Sequence, residues 1–355
     1  DEIHFWFLAK DNNPNHLSTS KTDKFIGIFP SFEDLFKEIE DHQEESKGWL
    51  EDIQETIEEI SNLTDEVQLE LLKEDDISLA NEMKIEKSLE QIQEIHNELE
   101  KIQENIAEII EQAEKNNLFD NNLLGKFNHF QEMLQNIMTP ELMDAMNKLQ
   151  EAMQNLDPDQ IAKALENFEF NLEEFEEQLD RFIDMFELAQ AEQKINELTE
   201  LMENIANKQT EMINKIEQNP SQTSLLNSKS TKQEQRFDNF EELLNESIND
   251  LASVSEKTSN KLDNLSKSAE IKNADEMLRE TTDNIKNKNM DSALTDSNIA
   301  KENIDEISKQ LEKIKEEFID ESIQEIKNEF ISIINDIITI SNQQEIIILE
   351  SQGIR

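Results

Sequence analysis

The 355-residue chain contains no cysteine and no tyrosine, and only 4 glycines and 5 prolines. Without cysteine there is no disulfide, no thiolate nucleophile and no Cys-ligated zinc, while oxidising and reducing compartments stay equally open. Strands and tight turns draw on Gly and Pro, so a β-rich or α/β body is excluded for most of the chain. Positive charge is scarce too: 33 Lys and Arg stand against 82 Asp and Glu, a formal net charge of −49. Nucleic acid and anionic membrane surfaces are bound by clustered cations, so neither is an expected ligand. The longest apolar stretch, Phe330 to Leu349, is interrupted by Asn335, Asp336, Asn342, Gln343, Gln344 and Glu345 and cannot span a bilayer. No signal peptide opens the chain and it starts with Asp1, so it is expected to be a piece of a longer protein. Any membrane attachment is expected through segments outside it.

What is abundant is Glu, Lys, Gln, Asn, Leu and Ile with apolar residues at regular spacing, the composition of long exposed helices. Residues 1–30 differ. Ile3 to Leu8 and Lys24 to Phe29 are short, aromatic and β-branched, and flank the turn signal Asp11-Asn12-Asn13-Pro14-Asn15. They predict a β-hairpin with a long loop. Two strands alone do not bury an aromatic face, so the hairpin is expected to be the C-terminal end of a truncated β-sandwich.

Residues 31–217 predict an acidic, antiparallel helical coiled-coil region. Ser31 with Asp34 suits a helix start, and the first stripe reads Phe32, Leu35, Ile39, Trp49, Ile53, Ile57, Ile60, Val67, Leu71, weakened at Gln43 and Ser46. Lys73 to Ser78 reads as a corner. The second stripe, Ile85, Leu89, Ile92, Ile95, Leu99, Ile102, Ile106, Ile109, Ala113, has a mean step of about 3.5, with a short step at Ile92–Ile95 that would overwind the seam. Asn116 to Asn122 breaks it. Thr139-Pro140 and Asp157-Pro158-Asp159-Gln160 place a capping side chain before a proline at the first helical position. A Phe ladder from Phe168 to Phe186 follows, with a phase slip between Ala189 and Ile195. Residues 218–232 read as a linker, and 233–355 as a second helical region expected to continue past the C-terminus. Residues 229–288 hold 10 basic and 13 acidic side chains, so the acidity is regional, and this part reads as marginal helix or partly disordered. The final stripe, Ile304 to Phe318 and then Ile323 to Ile340, is stronger.

No constellation points to catalysis. The carboxylates sit at positions of solvated helix faces, not as facing pairs with separated pKa values. The histidines His4, His16, His42, His96 and His129 lack the spacings of helical metal sites, and His96 reads as a polar register marker in a seam. Asp11-x-Asn13-x-Asn15 imitates the start of a calcium loop but lacks its glycine and distal Glu. No glycine-rich phosphate loop exists, and no metal or other cofactor is expected. One cluster is a candidate binding surface: Phe127, Phe130, Met133, Met138, Met143, Met146 and Met153 surround two short helices, and polarizable Met/Phe surfaces accept partner helices. Methionines filling an irregular helix junction is the competing reading, and the Phe ladder reads as core.

The order of features resembles a known family. An aromatic strand ending in Asp11-Asn12-Asn13, a Ser/Thr/Lys loop, and a second strand running into Pro30-Ser31-Phe32-Glu33-Asp34-Leu35-Phe36 precede acidic coiled coil. With Pro140-Glu141-Leu142, Lys148-Leu149-Gln150-Glu151-Ala152-Met153, Phe170-Asn171-Leu172-Glu173-Glu174-Phe175 and Gln190-Ala191-Glu192-Gln193-Lys194, residues 1–216 are similar to a large bacterial envelope family catalogued as a domain of unknown function, number four-one-seven-five. The resemblance implies N-terminal membrane helices, a β-sandwich region and a long helical portion outside the cytoplasm. It carries over no functional residues. The expectation is therefore a mainly α chain of long antiparallel helices after a short hairpin, acting as a non-enzymatic scaffold or spacer of a membrane-anchored envelope protein. Its partners would be proteins or copies of itself, met through helical seams; the alternative is a module that docks a partner helix at the Met/Phe junction or the Ile-rich C-terminal helix.

Overall fold

The computed structural model describes residues 2–11, 19–28, 30, 32–73, 77–155 and 157–353, with 2, 3, 28, 32, 33 and 324–353 described by backbone alone. The fold is mainly α behind a short antiparallel hairpin, as expected. Strand β1 (Glu2–Phe5) pairs with β4 (Phe25–Ile28), Phe5 opposite Phe25, and β2 (Leu8–Lys10) pairs with β3 (Thr19–Lys21). Between the two ladders the Thr22 amide donates to the Phe7 carbonyl at 3.1 Å, and the Phe7 amide donates to Thr22 Oγ1 at 3.1 Å. The Asp11 to Asn15 turn lies, apart from Asp11, outside the described residues. So do Ser31 and His16.

The chain divides into two compact units, residues 1–184 and 185–355. In the first, α1 (Phe32–Leu71) and α2 (Leu79–Asn116) form an antiparallel pair in one constant register: Gln112 reaches Glu38, His42 reaches Glu108, Lys87 reaches Glu59 and Lys84 reaches Glu66. Two shorter helices, α3 (Asn121–Ile137) and α4 (Pro140–Asn155), lead to α5 (Pro158–Gln218). The N-terminal half of α5 runs antiparallel to α1, with Gln54 donating to Asp180 at 2.9 Å and Gln68 donating to Glu169, and meets α3 where Phe130 and Phe182 pack edge to face at 5.7 Å.

The seam of this unit keeps an unbroken alternation of three and four. On α1 the buried positions are Phe36, Ile39, Gln43, Ser46, Leu50, Ile53, Ile57, Ile60, Thr64 and Val67. The stripe expected from hydrophobicity therefore needs correcting at Leu35 and Trp49, which are half-buried flankers. A heptad seam is set by helix geometry, and small polar residues occupy seam positions where their hydroxyls bond within the helix: Ser46 Oγ donates to His42 O at 2.8 Å and Thr64 Oγ1 to Ile60 O at 3.1 Å. Likewise Ser88, not Leu89, carries the α2 seam. With Ser88 in place, steps of four and three run from Asn81 to Ala113, and the overwinding step expected at Ile92–Ile95 does not occur.

Corners follow the capping chemistry. Ser78 Oγ accepts from the Asn81 amide at 3.2 Å, Asp120 accepts from Asn122 and Leu123, Thr139 accepts from Leu142 at 3.2 Å, and Asp157 accepts from Asp159 at 3.1 Å. Gln160 donates to the Asp157 carboxylate at 2.7 Å, a side-chain version of the expected capping box. Asn117, with φ 52°, ends α2 in the left-handed conformation, and the Leu118 amide reaches back to Ala113 O at 2.9 Å, sealing the helix end.

The second unit comprises α5 from Met185, α6 (Thr223–Val254), α7 (Glu256–Ser266), α8 (Ala269–Lys286) and α9 (Met290–Gly353). Cross-helix contacts close an up-down-up-down four-helix ring. Lys194 pairs with Asp250 (α5–α6), Arg279 with Asp238 (α6–α8), Asn284 with Asp296 (α8–α9), Lys261 with Glu317 (α7–α9) and Lys315 with Asn196 (α5–α9). The expected linker at 218–232 is thus a turn at 219–222, and residues 223–232 are helix with Leu226 and Ser230 buried. Phe237, Phe240, Leu244, Ser247 and Leu251 continue that stripe, so the part read as marginal is a seam whose polar members hid it. The expected phase change in α5 coincides with a stretch, Ala191 to Met202, buried on nearly every side. Of the final stripe, Ile304, Ile307, Leu311, Ile314 and Phe318 are core, while Ile323 is exposed; the later members lie beyond the described side chains.

Candidate functional site

The Met/Phe junction is the site singled out by sequence, and the structure sorts its members into two groups. Phe127 and Phe130 lie on the buried face of α3, one turn apart, at 0 % and 1 % exposure. Their rings continue an aromatic chain, Phe119–Phe127 at 5.2 Å, Phe127–Phe130 at 5.5 Å and Phe130–Phe182 at 5.7 Å. They are core residues of the first unit and are not presented to a partner, which corrects the expectation for these two. Met133, Met138, Met146 and Met153 are half-buried beside the seams of α3 and α4, and Met143 is 40 % exposed. The seams themselves are filled by Leu134, Ile137, Leu142, Ala145, Leu149 and Ala152. The Phe ladder of α5 is core, as expected.

The histidines do not converge. His42 Nε2 lies 3.1 Å from Glu108, His96 is 3.6 Å from Glu100 and His129 is 3.8 Å from Glu132. His96 sits beside the seam residue Ile95, half-buried, and not in the seam itself. Among the described residues, Asp238, Glu241 and Asp275 bring three carboxylates within 4.8 Å of one another. Arg279 is lodged between two of them, its Nη2 at 2.7 Å from Asp238 and its Nε at 2.8 Å from Asp275. The group is an arginine-centred ion-pair cluster joining α6 and α8. Burial, then Asp275 and Asp238, push the Glu241 carboxyl upward.

The second unit also holds a buried polar layer, which hydrophobic spacing alone does not reveal. Gln209 Nε2 donates to Ser297 O at 2.9 Å and Ser297 Oγ at 2.8 Å, Gln233 Nε2 donates to Ile205 O at 2.7 Å, and the hydroxyls of Ser230 and Thr282 meet at 2.6 Å. All are nearly solvent-free. One or two residues from each of α5, α6, α8 and α9 contribute, between an apolar cluster containing Met202 and Phe237 on one side and one containing Met212 and Ile285 on the other. Such a layer pairs only in one register, because sliding any helix by a heptad strands buried donors.

Carboxyls held above their ordinary value are Glu98, Glu169 and Glu176 in the first unit and Glu241 in the second. Burial pushes the Glu169 carboxyl up to about 7, with Asp65, Glu173 and Glu166 adding to it and the polar Thr64 side chain nearby opposing it. Burial first, then like charges, also raises Glu176 and Glu98. On the hairpin, Phe5, Phe7 and Phe25 cluster at 5.4 to 6.2 Å yet are 44 %, 65 % and 46 % exposed, and Lys21 Nζ sits 3.9 Å above the Trp6 ring. Its aromatic face is open among the described residues, the feature that prompted the sandwich expectation. No helix among the described residues is long and apolar enough to cross a membrane. Comparison with protein-family models, with curated proteins and with solved structures found no match to this chain.

Proposed function

We propose that the chain is a non-enzymatic scaffold or spacer, the helical portion of a larger membrane-anchored bacterial envelope protein. The observation that carries this reading is the three-four seam, unbroken through α1 and α2 of the first unit and α6 of the second, in which apolar, aromatic and small polar side chains join helices to one another. Among the described residues the pairs and clusters of titratable groups are ion pairs or like-charge contacts on helix flanks, and none of these faces another across a pocket with a nucleophile or oxyanion donors beside it. The envelope setting rests on the resemblance of the hairpin-to-helix junction and the Pro140 to Lys194 blocks. A second reading, a module docking a partner helix, draws on the methionines flanking α3 and α4, of which Met143 is the most exposed.

A photo-crosslinking residue at Met143 in the native cell separates the two. The scaffold reading expects no recurrent adduct there. One recurring partner, lost when Met133, Met138, Met146 and Met153 are changed to Gln, would replace it with the module.

A further inference from the structure

Between Lys47 and Lys73, α1 contains no basic residue, and between Lys163 and Arg181 neither does α5. These are the stretches that lie against each other in the first unit, joined through Gln54–Asp180 and Gln68–Glu169. Where α1 meets α2 the carboxylates find lysines: Lys84 takes Glu66 and Glu70, and Lys87 takes Glu59. The α1–α5 face has no such cation to draw on. Glu58 of α1 faces Glu176 of α5, and Asp65 of α1 faces Glu169.

Glu169 sits closest to the seam, next to Phe168. Its Oε2 accepts from the Gln68 amide, and its Oε1 is shut off from solvent with no hydrogen-bond partner. Thr64 of α1 is its other polar neighbour, and the Thr64 hydroxyl proton is directed at the carbonyls of Ile60 and Ser61. The charged groups around Glu169 are Asp65 from α1 and Glu166 and Glu173 from α5; Lys84 of α2 is engaged with Glu66 and Glu70. A half-buried carboxylate in this setting has one buried oxygen unsatisfied and three like charges about it. A proton from solvent on Oε1 cancels the charge and makes that oxygen a donor, with the Thr64 oxygen beside it as acceptor.

We propose that the α1–α5 face of the first unit is a proton-fastened clamp, in which protonation of Glu169 seats its carboxyl against Thr64 and Gln68 and draws the two helices together, and loss of that proton loosens them. Its midpoint is near neutral, since burial holds the carboxyl at about 7 against 4.5 for an ordinary Glu. The folded state then holds the proton more tightly than the unfolded chain, so the stabilisation is full below about 4.5 and is lost as pH rises through about 7. A single linked proton changes the unfolding equilibrium by at most about tenfold per pH unit.

The test uses the intact chain. Both tryptophans, Trp6 and Trp49, lie in the first unit, so their fluorescence follows its unfolding. The urea midpoint is expected to be higher at pH 6 than at pH 8 for the unaltered protein. Glu169→Gln, which carries the neutral form permanently, should shrink that difference and raise the midpoint at pH 8. An equal pH 6 to pH 8 difference in the variant would overturn the clamp. A ¹³C carboxyl titration of Glu169 in the unsubstituted chain decides the matter without any variant: a midpoint near neutrality supports it, and one at the ordinary Glu value overturns it.

Discussion

The two units follow one plan with different electrostatics. Each uses a long helix, a second long helix and a third arm broken by a cap, at Thr139-Pro140 in one and Lys267-Ser268 in the other, and α5 supplies the last arm of the first and the first arm of the second. Residues 1–184 carry 47 acidic and 14 basic side chains, a net of −33, whereas residues 185–355 carry 35 and 19, a net of −16. In the second unit, cross-helix contacts are made by Lys194, Lys257, Lys261 and Arg279 with carboxylates. In the first, lysines serve α1–α2 and like charges face each other across α1–α5. The seam is therefore sufficient to hold a bundle whose flanks repel, and flank charge is left to set how the bundle answers pH and salt. Of the 49 excess negative charges, 33 lie in the first unit and 16 in the second, and like charge on helix flanks opposes association.

Breaking the seam should cost both units alike. Phe130→Ala in the first and Phe240→Ala in the second each remove a fully buried ring, and each is expected to destabilise its own unit by about 3–5 kcal/mol in urea unfolding. A loss under about 1 kcal/mol for Phe130→Ala would restore it as a surface residue. The polar layer sharpens the contrast next. Gln209→Ala leaves a void and unpaired Ser297, expected to cost about 2–3 kcal/mol. Gln209→Leu should recover most of that while broadening amide resonances of α5 and α9, because an apolar layer no longer fixes register.

The corners give a smaller effect. Lys288, at φ 61°, ends α8 in the left-handed conformation that suits glycine, and Asn117 does the same for α2 at φ 52°. Lys288→Gly should stabilise the second unit by about 0.5–1 kcal/mol, and Asn117→Gly the first by less, since Asn tolerates that conformation better. Thermal melts resolve both. Salt gives the smallest change: going from low to roughly 0.5 M salt should raise the first unit's midpoint by screening repulsion and leave the second unchanged or slightly lower, each by tenths of a kcal/mol.

Much of this was legible in the residues. Capping side chains placed the starts of α4 and α5, and the three-four spacing placed the cores of α2, α5 and the described part of α9. What misled was reading hydrophobicity as position. Leu35, Trp49 and Leu89 drew the stripe one residue off the seam, while Ser46, Thr64, Ser88 and Ser230 occupied it, because a hydroxyl that bonds within the bundle is as acceptable there as a methyl group. The same polar seam residues made 223–251 read as linker and marginal helix. Of the candidate surface, chemistry suggested Met and Phe together, but Phe127 and Phe130 fall on seam spacing with Leu123 and Leu134, and that spacing was the better guide.

The difference between the units is tested most directly by amide hydrogen exchange on the intact chain at pH 8 and pH 6, corrected for intrinsic rates. In the first unit burial and like charges raise Glu98, Glu169 and Glu176, with Glu59 lowered by Lys87; in the second, lysines lower Glu211 and Glu317, with Glu241 raised. Glu169, at about 7, titrates between these two pH values, and its folded-state affinity for protons is raised. Protection should rise on acidification in α1 from Glu58 to Leu71 and in α5 from Lys163 to Glu176, and stay level in α6 and α8. A uniform change across both units, or a loss of protection in α1, would contradict the account.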